Sequence, residues 1–280
     1  MPTLILLDVS LSMARRVERN EDCETRYIDL ASKFANNLID HLATNCPQEY
    51  TALVVYSSLY EVLVKYTKDF ESLKAACNDI EIYDKTIYER MLLGVESIVM
   101  EEWGKTVAQN IILITDGTIG VGEGSLRDLI ASSDTSKPDR KFPYLFSFPC
   151  HLSVVCLSPE VENGESRAHF EQLIQLNHNK GEFLAPDTLT ELGVTQCCAR
   201  LTNLHYKRFE CMLKCGHMEC AVTLSPPPNF HNTYGTSLNV YRHTDDEVDT
   251  MQLKLSSEIA IQGNSEKGDA KFLEPSGMVL

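Results

Sequence analysis

Three continuous apolar runs mark the first two-thirds of the chain. They are TLILL, IILIT and HLSVVCL, at residues 3–7, 111–115 and 151–157. A strand that is buried on both faces has no polar face, so each run predicts a central strand of a parallel sheet. Further strands are predicted at 51–58 and 60–66, which a tight turn joins, and at 181–186.

Between these runs, apolar side chains recur at every third or fourth position, which is the spacing of an amphipathic helix. The longest such segment is predicted to be a helix over residues 24–44. Other helices are predicted from Thr86 onward and at 71–77, 125–133, 169–176 and 187–204. Because strands and helices alternate, we expect an α/β fold, a Rossmann-like, doubly wound, mostly parallel sheet with helices on both faces.

The pattern changes near His205, where the helical period stops and short β-like runs with turn residues take over. We therefore predict a domain boundary at about residue 204. The first domain covers 1–204 and a β-rich region covers 205–262. The last segment, 263–280, is polar and rich in glycine, and we expect a poorly ordered tail there.

Charge and composition narrow the function classes. The net charge of −15 arises from 25 basic and 40 acidic side chains, which disfavours direct nucleic-acid binding by this chain alone. No apolar stretch approaches the roughly 18 residues of a membrane span, and the opening run is too short for a signal peptide. The ten cysteines are scattered singly, which is typical of reduced thiols in a cytosolic or nuclear protein.

Oxygen-bearing side chains follow the predicted strands at one edge of the sheet. Asp8, Ser10 and Ser12 follow the first strand, Thr86 lies in the segment YDKT, and Asp116 follows IILIT. The carboxyl ends of parallel strands meet at one edge, where open α/β sheets bind ligands. These side chains offer hard oxygens without thiolate or imidazole, a set that suits Mg²⁺ or Mn²⁺ better than zinc or copper.

Two carboxylates balance the charge of a divalent cation, while the three hydroxyls add ligands without adding charge. The metal would then keep an open position for a carboxylate of a partner protein. The alternative is that these residues form turns and cap helices without a metal, with Thr86 as the N-cap of its helix.

The motif D-x-S-x-S after the first strand, the later threonine and the aspartate of TDG occur in the order found in von Willebrand factor A domains. The chain resembles that family over residues 1–204. The resemblance implies a metal-ion-dependent adhesion site. In such a site the three hydroxyl side chains coordinate the metal directly, and the two aspartates set the charge through bound waters. The residues implied are Asp8, Ser10, Ser12, Thr86 and Asp116.

More narrowly, several segments resemble a family of subunits of the nuclear Integrator RNA-processing complex. They include MPTLILLDVSLSM, TALVVYSSLYE, EEWG and LKCGHM. The resemblance implies a nuclear, non-enzymatic scaffold with a role in small nuclear RNA 3′-end processing. In that family the subunit pairs with Integrator subunit 13 in a Ku-like arrangement and associates with subunit 10.

The resemblance also implies that residues 205–262 are part of a β-barrel. The family's chain continues through a complete barrel and a helical C-terminal region, whereas this sequence ends at Leu280. We therefore expect either a fragment or a shortened paralogue. A truncated paralogue without an Integrator role is the corresponding alternative.

Two other patterns have simpler interpretations than a binding site. Cys211, Cys215, His217 and Cys220 form one irregular cluster rather than paired zinc knuckles, and their spacing is that of a strand. The glycines of GTIGVGEGS do not follow the G-x-G-x-x-G spacing of a nucleotide loop. We expect these glycines instead to form a flexible loop beside the candidate metal site.

An enzyme remains the main alternative class. A Mg²⁺-dependent phosphohydrolase with an aspartyl nucleophile at Asp8 would need an acid/base carboxylate two residues later, where this chain has Ser10. A serine hydroxyl does not transfer a proton near neutral pH, so the sequence favours a protein that is not an enzyme. Extracellular adhesion is opposed by the absence of a signal peptide.

Overall fold

The computed structural model describes the chain in eight stretches. They are residues 1–17, 25–133, 145–158, 164–207, 209–215, 218–225, 236–241 and 250–255. The chain divides into two units, residues 1–206 and 207–280, and each is described here by itself. The predicted tail at 263–280 lies outside the described residues.

The first unit contains a six-stranded sheet. Its strands are β1 (Thr3–Asp8), β2 (Thr51–Tyr56), β3 (Tyr60–Thr67), β4 (Gln109–Thr115), β5 (Cys150–Cys156) and β6 (Gly181–Leu184). Their order across the sheet is β3-β2-β1-β4-β5-β6. The β2–β3 pair is antiparallel and every other pair is parallel, so the predicted mostly parallel sheet is confirmed.

Helices connect the strands. They are α1 (Tyr27–Asn45), α2 (Phe70–Asn78), α3 (Tyr88–Glu102), α4 (Leu126–Ser132), α5 (Gly164–Leu176) and α6 (Glu191–His205), with a short 3-10 helix at Leu11–Ala14. Side-chain caps explain several helix starts. Asp69, Ser125 and Thr190 each accept a hydrogen bond from a backbone N–H of the first turn of α2, α4 and α6.

Helices cover both faces of the sheet, as predicted. Ile5 and Leu7 of β1 pack into a core with α1, α2 and α6. Leu4 and Leu6 point to the opposite face and pack into a second core with α3, α4 and α5. The continuous apolar run therefore reflects a strand whose alternate side chains enter two different cores.

The described part of the second unit is a four-stranded antiparallel sheet. Its strands are β7 (Phe209–Cys215), β8 (Met218–Ser225), β9 (Thr236–Tyr241) and β10 (Thr250–Leu255), in the order β10-β9-β8-β7. The partial barrel implied by the family resemblance stays a prediction. Within the described stretches, no helix combines the length and apolar character required to cross a bilayer.

Candidate metal centre

The candidate site lies where the strand order reverses. From β1 the chain builds β2 and β3 on one side, then returns to place β4, β5 and β6 on the other side. The crevice between β1 and β4 is thus the topological switch point of the sheet, where such folds bind ligands. Asp8 is the last residue of β1, and Asp116 directly follows β4.

Asp8 is fully buried and accepts hydrogen bonds at both carboxylate oxygens. Ser10 N donates to Asp8 Oδ1 at 2.9 Å, and Thr115 Oγ1 donates to Asp8 Oδ2 at 3.1 Å. The hydroxyl oxygens of Ser10 and Ser12 lie 3.0 Å apart. Ser12 lies inside the 3-10 helix, and Ser10 is the N-cap of that helix. The tight helical turn, rather than a strand-like alternation, brings them together.

Thr86 reaches the same edge through its backbone neighbours. Tyr83 N donates to Val9 O at 2.7 Å, and Ile87 N donates to Ser57 O at 2.9 Å. The segment that carries Thr86 is therefore hydrogen-bonded to the chain just after β1 and just after β2. Thr86 itself is buried.

The alternative interpretation of Thr86 as a helix cap is wrong. Helix α3 begins at Tyr88 and its N-cap is Ile87, whose side chain makes no capping hydrogen bond. Ile87 has an extended conformation, and its N–H, which has no acceptor within the helix, donates to Ser57 O. The buried Thr86 hydroxyl consequently has no capping role.

Asp116 is held from two sides. Thr118 N donates to Asp116 Oδ1 at 2.9 Å, and Arg15 Nη2 donates to Asp116 Oδ2 at 2.8 Å. The Arg15 side chain is 61% exposed, whereas that of Asp116 is fully buried. Arg15 Nε also donates to Ser12 O at 3.1 Å, which ties the first loop to the carboxylate after β4.

The environment of Asp8 disfavours its charged form. Burial and, second, the negative charge of Asp116 raise the pKa of Asp8 to about 7, and hydrogen bonds from Ser10 and Thr115 oppose the rise. Arg15 compensates the charge of Asp116, and a bound divalent cation would also compensate that of Asp8. The donor set of two carboxylates and three hydroxyls fits Mg²⁺ or Mn²⁺, as the sequence indicates.

The glycine-rich loop after Asp116 is shaped by a close backbone approach. Gly120 has a φ of +76°, and a Cβ atom at this position would lie 2.8 Å from Thr86 O. Glycine is the residue type that fits both conditions. The loop can therefore pack directly against the segment that carries Thr86.

Sequence reasoning missed two residues of this centre, Arg15 and Thr115. Arg15 belongs to an exposed Arg-Arg pair that carries no spacing signal. Thr115 ends an apolar strand, and only the adjacency of β1 and β4 shows that its hydroxyl meets Asp8. The cysteine cluster considered for zinc falls largely outside the described residues, because His217 and the side chains of Cys211 and Cys215 are not described.

Comparison with known proteins gives three findings. Residues 3–118 match the family model of the von Willebrand factor type A domain. The chain is 39% identical over 233 residues to Integrator complex subunit 14 of Mus musculus, covering 81% of this chain and 45% of the relative. It is 35% identical over 268 residues to Integrator complex subunit 14 of Xenopus tropicalis, covering 94% and 49%. The chain thus spans about half the length of the curated relatives it matches.

A solved structure with a similar fold is the PilB minor pilin from Streptococcus sanguinis. The TM-score is 0.55 at 12% sequence identity, and the match covers 73% of this chain and 61% of the pilin chain. At this identity the likeness concerns the fold alone.

Proposed function

We infer that this chain, whose residues 3–118 match the von Willebrand factor type A domain, is a non-catalytic interaction subunit of a nuclear, Integrator-type complex. The observation that carries this proposal is the similarity to Integrator complex subunit 14, at 35–39% identity over most of the chain. Subunits 13 and 10 of such a complex are the proposed partners, and small nuclear RNA 3′-end processing is the proposed process.

We propose that Ser10, Ser12 and Thr86 bind Mg²⁺ directly, with Asp8 and Asp116 supplying the negative charge. The burial of both carboxylates supports this assignment, because a divalent cation would offset their repulsion. The metal would supply an electrophilic position at which a partner's Asp or Glu carboxylate binds. The five side chains would hold the metal at the edge of a rigid sheet, where a partner can reach it.

The surroundings of the crevice suit a protein partner. Loops at the carboxyl edge of the sheet expose apolar side chains, with Leu59 and Val121 at 66% and 78% exposure and Leu11 and Tyr83 also exposed. Exposed apolar side chains around a polar centre are typical of protein interaction surfaces. We call these four residues the apolar rim. The expected partner surface is an acidic side chain flanked by apolar residues.

The test is a pull-down from nuclear extract, read by mass spectrometry for Integrator subunits. Wild type is compared with the Asp8→Ala/Asp116→Ala variant, each in Mg²⁺ and in EDTA. A matched control is Glu101→Ala/Glu102→Ala, which removes two exposed carboxylates at the end of α3. We expect recovery by wild type and by the control in Mg²⁺, and loss in EDTA or in the site variant.

Each other outcome overturns a defined part of the proposal. Equal recovery by wild type and by the site variant would mean that the contact does not use the metal. Failure of wild type to recover any Integrator subunit would overturn the subunit assignment for this chain. Turnover of a generic phosphoester that Asp8→Asn abolishes would overturn the non-catalytic assignment and support a Mg²⁺-dependent phosphohydrolase.

A further inference from the structure

Two imidazoles and one carboxylate meet at the sheet edge opposite the candidate metal centre. His151 is the second residue of β5, Glu182 the second residue of β6, and His205 the last residue of α6. Their ligand atoms all lie within 4.8 Å of one another. Because β5 and β6 run parallel to β1 and β4, this cluster lies near the amino ends of the strands, away from Asp8 and Asp116.

The three side chains converge on one carboxylate oxygen. His205 Nε2 lies 2.5 Å from Glu182 Oε1, and His151 Nε2 lies 3.8 Å from the same oxygen. Ser153 Oγ donates to that oxygen at 2.8 Å and orients the carboxylate. The two imidazole rings are close, with centroids 4.3 Å apart.

Hydrogen bonds do not explain the position of the His151 side chain. Its Nε2 atom is buried, and within the described part of the chain it has no hydrogen-bond partner, since 3.8 Å exceeds hydrogen-bonding distance. A buried ring nitrogen that faces a carboxylate and a second imidazole is placed as a metal ligand would be. The side chains are 20–29% exposed, so an ion can reach them from solvent.

We propose that His151, Glu182 and His205 bind a zinc ion with three protein ligands and one open position. Two imidazoles and one carboxylate are a donor set that suits zinc, and an open fourth position then holds water or a partner's side chain. Ser153, hydrogen-bonded to the carboxylate, is the positioning residue.

The geometry requires only small side-chain movements. Ligand atoms about 2.0–2.1 Å from a tetrahedral zinc lie about 3.3 Å from one another. The His205–Glu182 distance of 2.5 Å must open, and the His151–Glu182 distance of 3.8 Å must close by a similar amount. The two imidazole nitrogens, which lie within 4.8 Å of each other, must also come to about 3.3 Å. Such an ion would link β5 and β6 to the C-terminal end of α6.

The test is titration of the metal-stripped full chain with Zn²⁺ and, for spectroscopy, with Co²⁺, in excess Mg²⁺. The chain carries Cys211→Ser, Cys215→Ser and Cys220→Ser, so that these cysteines cannot bind the ion. We expect one equivalent of zinc and the intense visible bands of tetrahedral Co²⁺, without the charge-transfer band that thiolate ligands give. At free zinc one hundred times the dissociation constant, the unfolding temperature should rise by about 5 °C.

Two variants and one control decide the assignment. His151→Ala and Glu182→Gln should each weaken zinc binding about 100-fold or more. Glu182→Gln keeps the side-chain volume, so it should unfold near the wild-type temperature without metal. His41→Ala, which removes an imidazole on α1, should bind zinc like wild type. The proposal is overturned if the chain with the three serine substitutions takes up no zinc, or if His151→Ala and Glu182→Gln take up zinc as that chain does.

Discussion

At the scale of single residues, the buried carboxylate of Asp8 destabilises the folded protein when no metal is bound. It is fully buried, and its burial and the charge of Asp116 raise its pKa to about 7. A carboxyl group whose pKa is higher in the folded state binds protons preferentially there. The stability of the metal-free protein should therefore fall as the pH rises from about 4 through about 7.

Asp8→Asn should stabilise the protein in EDTA by roughly 1–3 kcal/mol at about pH 8, and by less at about pH 5. The amide removes the buried charge and keeps an acceptor for Ser10 N. Urea denaturation at the two pH values measures the difference. In saturating Mg²⁺ the order should reverse, because the variant loses a metal-binding charge. A variant that is less stable than wild type in EDTA at both pH values would make Asp8 a structural residue instead.

Arg15 should compete with the metal, because it already neutralises Asp116. Arg15→Ala frees the Asp116 carboxylate, and we expect the affinity for Mg²⁺ to rise roughly two- to fivefold, the modest size reflecting an ion pair with one exposed partner. Isothermal titration calorimetry measures the change. Arg16→Ala removes the same charge from the neighbouring position and is the matched control. An equal effect of both variants would mean that only the net charge matters.

The five oxygen-bearing side chains were chosen from strand ends, loops and the family resemblance, and their role in metal binding stays a prediction. The contact of Arg15 with Asp116 joins two residues that are 101 positions apart in the sequence, which no local pattern encodes. The same applies to His151, Glu182 and His205. They are far apart in the sequence, and only the pairing of β5 with β6 and the packing of α6 bring them together.

At the scale of elements, the predicted and observed bounds agree best where a segment has one strong hydrophobic pattern. The cores of β1, β4 and β5 coincide with the three apolar runs, because full burial leaves no other place for such sequences. The start of α3 was predicted two residues early, at Thr86. Ile87 is extended and donates its N–H to Ser57 O of another loop, and such long-range bonds have no local signature.

Two glycines in the loop after β4 allow the close approach to Thr86 to be tested with a matched control. Gly120 and Gly122 have similar positive φ values, +76° and +79°, but a Cβ atom at Gly122 would meet open space. We expect Gly122→Ala to cost about 1 kcal/mol, the penalty for the left-handed conformation alone. Gly120→Ala should cost roughly 1 kcal/mol more and weaken Mg²⁺ binding, because the methyl group collides with Thr86 O. Denaturation curves and metal titrations of both variants measure this.

Similar losses in the two glycine variants, with unchanged metal affinity, would contradict the importance of the close approach. In that case the loop would adapt to the methyl group, and the segment that carries Thr86 would keep its place. The comparison thus tests whether the loop positions the threonine or only passes beside it.

At the scale of the whole molecule, the prediction concerns which surface meets a partner. Leu59→Ser/Val121→Ser alters only exposed side chains of the apolar rim, so the unfolding temperature should not change. Recovery of Integrator subunits from extract should fall about tenfold, because burial of these two side chains against the partner would stabilise the complex. The control is Leu192→Ser/Leu204→Ser on α6, which are similarly exposed. Equal losses in both pairs would place the interface elsewhere.

The α/β class of the first unit could be predicted from the order of elements alone, because alternating strands and helices allow few arrangements. The switch point could not, since it depends on which side of β1 each later strand joins. For the second unit, the sequence predicted strands but not their partners, and antiparallel pairing of β7 with β8 is the part that the structure adds.

The alternation of β1 between two cores has a consequence for how the strand finds its alignment. A slip by one residue would exchange Leu4 and Leu6 for Ile5 and Leu7, and both faces would remain apolar. Hydrophobic burial therefore distinguishes poorly between the native register and its neighbours. The polar ends do distinguish them, because a slip would separate Thr3 Oγ1 from Tyr206 OH, 2.9 Å away, and Asp8 from its donors. Asp8 therefore also helps to fix the register of β1, the most buried strand of the sheet.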